Sequence, residues 1–396
     1  MIRIDGRGRL PVTQTARRWG PALAGCGLIL AAALLAPDHA RAAAAQDWPP
    51  FVLVAGLLLV GLVADGDGLF AAGGHALARL SPNGVLLYAG TAVLVLTVTT
   101  LLNLDTSVTF LTPVLVYAAR SRGEGEAPLL YGCLLLSNAG SLLLPGSNLT
   151  NLIVLGHLHL SGGAFLAHMA LPALAATVVT AVIVGAFYHR TLRTTIAPTL
   201  APERPVLGVG LLAVAVVTVL VVALRAPALP VAAVGVVAVL LRSRRTQRSQ
   251  PSGRGAVSGR AALDVLGVPI LVALFGLAVA LGTLGRSWSG PATLLSHLNV
   301  WGTAAVAALT SVLVNNLPAA SLLAARRPPH PFALLIGLNV GPNLFVTGSL
   351  AWFLWLRAAR TAGARPDVRR ASLLGLASAP LAIAAAVGVL VLSGVG

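Results

Sequence analysis

Apolar runs without strand-like alternation recur along most of the chain, separated by short polar stretches. Runs of this kind, close to twenty residues long, predict helices that cross a bilayer. The pattern predicts spans at Phe51–Ala64, Phe165–Tyr188, Val206–Ala223, Pro230–Leu241, Val265–Leu284 and Ser372–Leu392. Gly68–Leu80 reads as a short amphipathic connection. Near the start, PALAGCGLILAAALLA follows a basic segment, and it fits either a first span or the apolar core of a signal peptide.

The informative places are where the apolar pattern breaks. Gly84–Asn103 and Thr106–Ala118 are two apolar arms meeting at NLDTS, and Val300–Val314 and Leu317–Ala325 are two arms meeting at NN. Leu129–Leu155 is interrupted by SNAGS and PGSNLTN, and Phe332–Leu356 by NVGPN and TGS. The order span, paired arms, interrupted run, span therefore occurs twice. Aligning the halves sets Asp105 opposite Asn316, and PGSN from Pro145 opposite TGSL from Thr347. The divisions expected are 1–50, a basic segment and first span; 51–190, a first repeat; 191–262, linking spans and an Arg-rich loop; and 263–396, a second repeat.

At about 1.5 Å per residue, the arms Thr106–Ala118 and Leu317–Ala325 cover roughly 20 Å and 14 Å, short of a hydrocarbon core about 30 Å thick. They predict hairpins that enter and return on one side. With a cytoplasmic N-terminus, this arrangement leaves only Arg41, Arg225, Arg286, Arg326 and Arg327 on the outer face. It makes the halves inverted copies. The expected fold is an all-α polytopic membrane protein with an inverted-repeat ion-transporter architecture, two re-entrant helical hairpins and two broken helices.

Composition sharpens this picture. With 57% hydrophobic and 10% charged residues, the 396-residue chain has too much apolar surface for one soluble core. The net charge of +16 lies between apolar runs without interleaved aromatics, so it reads as loops obeying the positive-inside rule and not as a nucleic-acid surface. Arg242–Arg260 reads as a flexible linker between the halves. Cys26 and Cys133 suggest no disulfide framework, and His157 with His159 makes a weak metal motif lacking an acid or thiol nearby. There is no P-loop, nucleophile elbow or catalytic carboxylate pair, so the expectation is a transporter without enzymatic activity, metal or cofactor.

A helix broken inside a membrane exposes N–H and C=O groups that can hold ions or polar solutes, provided the break lines a cavity or is buried in protein. The candidate substrate-binding residues are accordingly Asn103, Thr106, Ser107, Asn138, Ser141, Ser147, Asn148, Asn315, Asn316, Asn339, Asn343, Thr347 and Ser349. Pro145, Gly146, Pro318, Gly341, Pro342 and Gly348 are the candidate helix-breaking residues. Asp105 stands out as an isolated carboxylate in an apolar setting, hence the candidate proton-coupling group. The alternative for Asp105 is a structural helix cap, and for a lone Ser or Thr a contact that glues helices together.

These clusters resemble those of the arsenite efflux permease family, within the superfamily that includes sodium–dicarboxylate carriers and sodium/proton antiporters. VADGDGLFAAGGHALARL, LLNLDTSVTFLTPVLV, SNAGSLLLPGSNLTNLIV, TSVLVNNLPAASLL and NVGPNLFVTGSLAWFLWL carry the likeness. The resemblance implies proton-driven export of arsenous or antimonous acid across a bacterial inner membrane, in some members with a cytosolic arsenite-stimulated ATPase as partner. Amide and hydroxyl side chains suit a neutral trihydroxide. The sequence departs from the family at Asn138 and Asn339, where aspartate is common, and at Asn343, where a basic residue is common. The alternative is a divergent permease of the same superfamily for another small oxyacid, anion or dicarboxylate.

Overall fold

The computed structural model describes residues 11–123, 125–156, 158, 160–193, 208–224, 226–248 and 258–394. The His157/His159 motif lies outside the described residues. All regular elements among the described residues are helical. The chain opens with α1 (Pro11–Leu35) and α2 (Pro37–Gly66), then α3 (Leu69–Leu80), entered through Gly68 at a left-handed φ of 76°. Next come α4 (Gly84–Leu101) and α5 (Leu104–Ser121), then α6 (Ala127–Gly140), a 3-10 turn at Pro145–Ser147 and α7 (Leu149–Leu155). Then α8 (Gly162–Phe187) and a short α9 (His189–Leu192) close the first half.

Linking helices α10 (Val209–Ala223) and α11 (Ala228–Arg248) follow, then α12 (Gly259–Leu266), α13 (Val268–Ser287) and α14 (Gly290–Ser296). The second pair of arms is α15 (Val300–Val314) and α16 (Asn316–Leu323). The second interrupted run is α17 (Pro331–Val340), a 3-10 turn at Gly341–Leu344 and α18 (Leu350–Thr361), and α19 (Val368–Leu392) ends the described chain. Starts are marked by residues that suit them: Pro128, Pro269 and Pro331 sit in first turns where a missing N–H is harmless, and Asp367 accepts from the Arg369 and Arg370 amides.

Packing relates the halves. Long helices α2 and α13 lie against each other, as do α8 and α19. The arm α4 packs on α6 as α15 packs on α17. Each second arm also crosses to the other half: α5 packs on α18, and α16 packs on α7. The two broken runs are therefore clasped between the two pairs of arms. Small residues permit the closest approach, and a Cβ on Gly276 of α13 would sit 2.5 Å from the Gly25 Cα of α1.

Several sequence boundaries need correction. The span expected at Phe51–Ala64 is part of a 30-residue helix from Pro37, which continues through Pro49 and Pro50. The arm expected at Thr106–Ala118 runs from Leu104 to Ser121, about 27 Å long, because Asn103 caps it earlier and Pro113 does not end it. Arm length consequently carries no re-entrant argument for the first hairpin, whereas α16, at 8 residues, is only about 12 Å long. The expected linker from Arg242 begins inside α11, which extends to Arg248; residues 249–257 lie outside the described residues. Helices Pro37–Gly66, Gly84–Leu101, Gly162–Phe187, Gly259–Ser287 and Val368–Leu392 are long and apolar enough to cross a membrane. This is a multi-pass membrane protein.

Candidate functional site

The breaks in the apolar pattern become the starts of helices, three of them capped by an asparagine side chain. The Asn103 side-chain oxygen accepts from the Thr106 amide at 2.6 Å and starts α5. Asn148 accepts from the Thr150 amide at 3.2 Å and starts α7. Asn315, at φ 78°, accepts from the Leu317 amide at 3.4 Å and starts α16. With ψ at 147° this positive-φ backbone lies outside the left-handed helical region and is uncommon for any residue with a Cβ. Ser349 precedes α18, and its buried hydroxyl has no hydrogen-bond partner.

These four starts converge. One cavity of about 10 Å³, room for about one water in this conformation, is lined by Leu104 and Asp105 of α5, Asn148 and Leu149 at α7, Asn316 and Leu317 of α16, and Ser349 and Leu350 at α18, with Leu274 of α13 beside them. Helix N-termini carry partial positive charge, roughly half an elementary charge each, and present unpaired N–H groups. The helix starts thus offer partial positive charge to a cavity that no Arg lines. Asp105 is the acidic group in its wall, 6% exposed, and makes no hydrogen bond or ion pair among the described residues. The Asn103 amide nitrogen and the Thr106 and Thr109 hydroxyls are buried nearby on the same segment without partners.

A second cavity of about 270 Å³ begins at Asp105 and follows one face of two helices. On α5 it passes Thr109 and Pro113, and on α18 it passes Leu350, Leu354, Arg357 and Thr361. Asp264 to Leu271 form its far wall. Asp105 and Leu350 line both cavities, so the two are neighbours across these side chains.

The remaining candidate residues do different work. The two broken runs are stapled by a buried amide network centred on Asn339. Its oxygen accepts from Ser141 at 2.7 Å and from Asn148 at 2.6 Å, and its nitrogen donates to the Asn151 oxygen at 2.9 Å. Asn138 donates to the Asn343 oxygen at 2.9 Å, and Asn343 donates to the Leu135 carbonyl at 3.0 Å. Asn148 is shared by network and cavity. Ser137 donates to Ser107 at 3.1 Å, and Ser147 reaches the Thr100 carbonyl at 3.4 Å, fixing the first arms to the first broken run. On the other side, Thr347 donates to the Val312 carbonyl at 2.6 Å, and Gly348 offers its carbonyl to the Asn316 amide at 2.8 Å.

The helix-breaking residues fit their places. Pro145 and Gly146 form the first 3-10 turn, Pro318 sits in the first turn of α16, and Pro342 opens the second 3-10 turn. Glycine is required at Gly341 and Gly348, where a Cβ would meet the Ala308 Cα and the Pro342 Cα at 2.5 Å. Sequence reading missed Asn151, whose nitrogen satisfies the Ser141 and Leu144 carbonyls. Its signal was present in SNLTN, two asparagines bracketing a helix start. It also missed Asp47, discussed below.

Comparison with known proteins places this architecture. A family model described as citrate transporter (CitMHS) matches residues 10–337. Among solved structures, the chain is similar to the YdaH transporter of Alcanivorax borkumensis, with 15% sequence identity, a TM-score of 0.52, and coverage of 89% of this chain and 86% of that one. No curated protein sequence matches.

Proposed function

Because the chain belongs to the citrate transporter family, we propose that it moves a small carboxylate or comparable oxyanion across a bacterial inner membrane by alternating access. The observation that carries this reading is the convergence of four helix N-termini on one cavity beside Asp105. Such an arrangement attracts an anion without a basic side chain. Asn148, Asn316 and Ser349 orient the bound solute. Asn103 and Thr106 support the tip from which Asp105 projects. Asp105 is the proton-responsive group: uptake of a proton there relieves its repulsion of an anionic solute, so proton and solute occupy the site together.

In this reading the halves are inverted repeats with a cytoplasmic N-terminus; the shortness of α16, 8 residues, supports a re-entrant second pair of arms, and the first pair follows only by the symmetry of the repeat. In that orientation the cavity leading from Asp105 to Arg357 opens towards the cytoplasm.

Arsenous or antimonous acid is the second reading. The amide and hydroxyl lining favours it, since these groups suit a neutral trihydroxide. The converging N-termini and the family's description favour the anion. The ATPase partner implied by the arsenite resemblance goes with that second reading. Purified protein in liposomes distinguishes them. Under an imposed proton gradient, uptake of labelled citrate or a dicarboxylate is expected, with arsenite flux at the level of empty liposomes. Arsenite flux without carboxylate flux would overturn the anion reading.

A further inference from the structure

Asp47 lies in the stretch AQDWPP and looks like a loop residue in the sequence. In the structure it is inside α2, 1% exposed, and neither carboxylate oxygen has a hydrogen-bond partner. It sits nearer the N-terminal end of α2 than Val54 and Leu58, which line the Asp105 cavity. The groups facing it are the Ser321 hydroxyl of α16 and the Arg286 guanidinium of α13. Ser321 directs its own hydrogen to the Leu317 carbonyl at 3.4 Å.

Arg286 is engaged elsewhere: it donates to the Gln46 side-chain oxygen and, at 2.9 Å, to the Gly282 carbonyl. Arg326, beyond α16, donates to the Arg286 carbonyl at 2.9 Å. On α2 itself, the nearest charged groups are Asp38 and Arg41, exposed and paired at 3.5 Å, while His39 bonds Ser287 at 2.9 Å.

The neighbour of Asp47 is a clasp. Gln46 donates to the Ile153 carbonyl of α7 at 2.9 Å and to the Ala324 carbonyl after α16 at 3.2 Å. Residues 46–47 are therefore where α2 and α13 hold both the second pair of arms and the first broken run. A cleft of about 730 Å³ is lined by Ala45, Gln46, Trp48, Pro49 and Arg286, the residues flanking Asp47 among them. The cleft reaches the residues on either side of Asp47, although the carboxyl itself does not line it.

We propose that Asp47 is a second proton-binding site, filled from the cleft and coupled to the clasp at Gln46. When protonated, the carboxyl has the Ser321 oxygen beside it as an acceptor for its O–H. When the proton leaves for water in the cleft, the carboxylate competes with Gln46 for the Arg286 guanidinium. Gln46 then loses the partner that orients its amide towards Ile153 and Ala324, and α16 with α7 is freed from α2. A proton bound at Asp47 keeps the clasp closed; its loss opens it.

Neither the site nor its test depends on the substrate. Difference infrared spectroscopy of the purified protein in lipid, titrated with pH, reads the carbonyl band of a protonated carboxylic acid. In an Asp105→Asn background, a buried-carboxyl band from Asp47 is expected to appear on acidification, separate from that of Asp67, which is paired with Arg242. Adding Asp47→Asn removes it, and Asp47→Glu, which keeps a carboxyl at the site, shifts it. That band persisting unshifted through both substitutions, or the absence of any titrating buried band in the Asp105→Asn protein, would overturn the proposal. Failure of citrate transport leaves this readout unaffected, so the two readings fail separately.

Discussion

The two tips on which the site is built differ in one decisive respect. At the first, Asn103 caps α5 and Asp105 projects into the cavity without a partner. At the second, Asn315 caps α16, and Asn316 occupies the matching place, its amide fixed to the Gly348 carbonyl. One tip carries a group that can change charge, and the other carries one that cannot. The same backbone device therefore serves two purposes. On the proposed mechanism, the first tip responds to protons and the second presents a constant dipole to the solute.

Making the tips alike tests that division most severely. Asp105→Asn is expected to abolish accumulation driven by the proton gradient while leaving solute exchange in place, measured as counterflow in proteoliposomes. Exchange and accumulation falling together would mean that Asp105 serves binding or folding instead. Cutting the staple that sets the tips against each other comes next. Asn339→Leu strands the Ser141, Asn148 and Asn151 groups in a buried setting, and about 1–3 kcal/mol for each unmet group predicts a large fall in thermal stability of the purified protein.

The reverse exchange should be milder. Asn316→Asp places a second carboxylate in the cavity wall with Asp105 and should weaken solute binding about tenfold, close to 1.4 kcal/mol, in a manner relieved by acid. Substrate-dependent protection from thermal unfolding, followed across pH, would read it. Smallest is the loss of one cap: Asn103→Ala is expected to lower stability by roughly 1 kcal/mol with the transport mechanism intact.

Much of this arrangement was legible in the sequence because a break in a long apolar run has few explanations. The positions of NLDTS, NNLP, SNLTN and TGS were enough to locate the four helix starts, and their order was enough to suggest the repeat. What the sequence could not separate was cavity from staple. Asn138, Ser141, Asn339 and Asn343 look as solute-like as Asn148 and Asn316, yet they bond one another across residues some two hundred apart in the chain. Long-range pairing of amides leaves no periodic trace. Asp47 was hidden for a related reason. Its neighbours Trp48, Pro49 and Pro50 suggest a loop, and only the packing of α13 against α2, with Ser321 of α16 beside the carboxyl, buries it.

The central claim is that an anionic solute sits where the four helix N-termini meet. Ser349→Cys, in a protein with Cys26→Ser to remove the exposed native thiol, puts a reporter in that wall. Its rate of alkylation by a small maleimide should fall at least several-fold when citrate or a transported dicarboxylate is added, and the fall should be greater at acidic pH. An alkylation rate unchanged by a carboxylate that the same protein transports would place the solute elsewhere and contradict the claim.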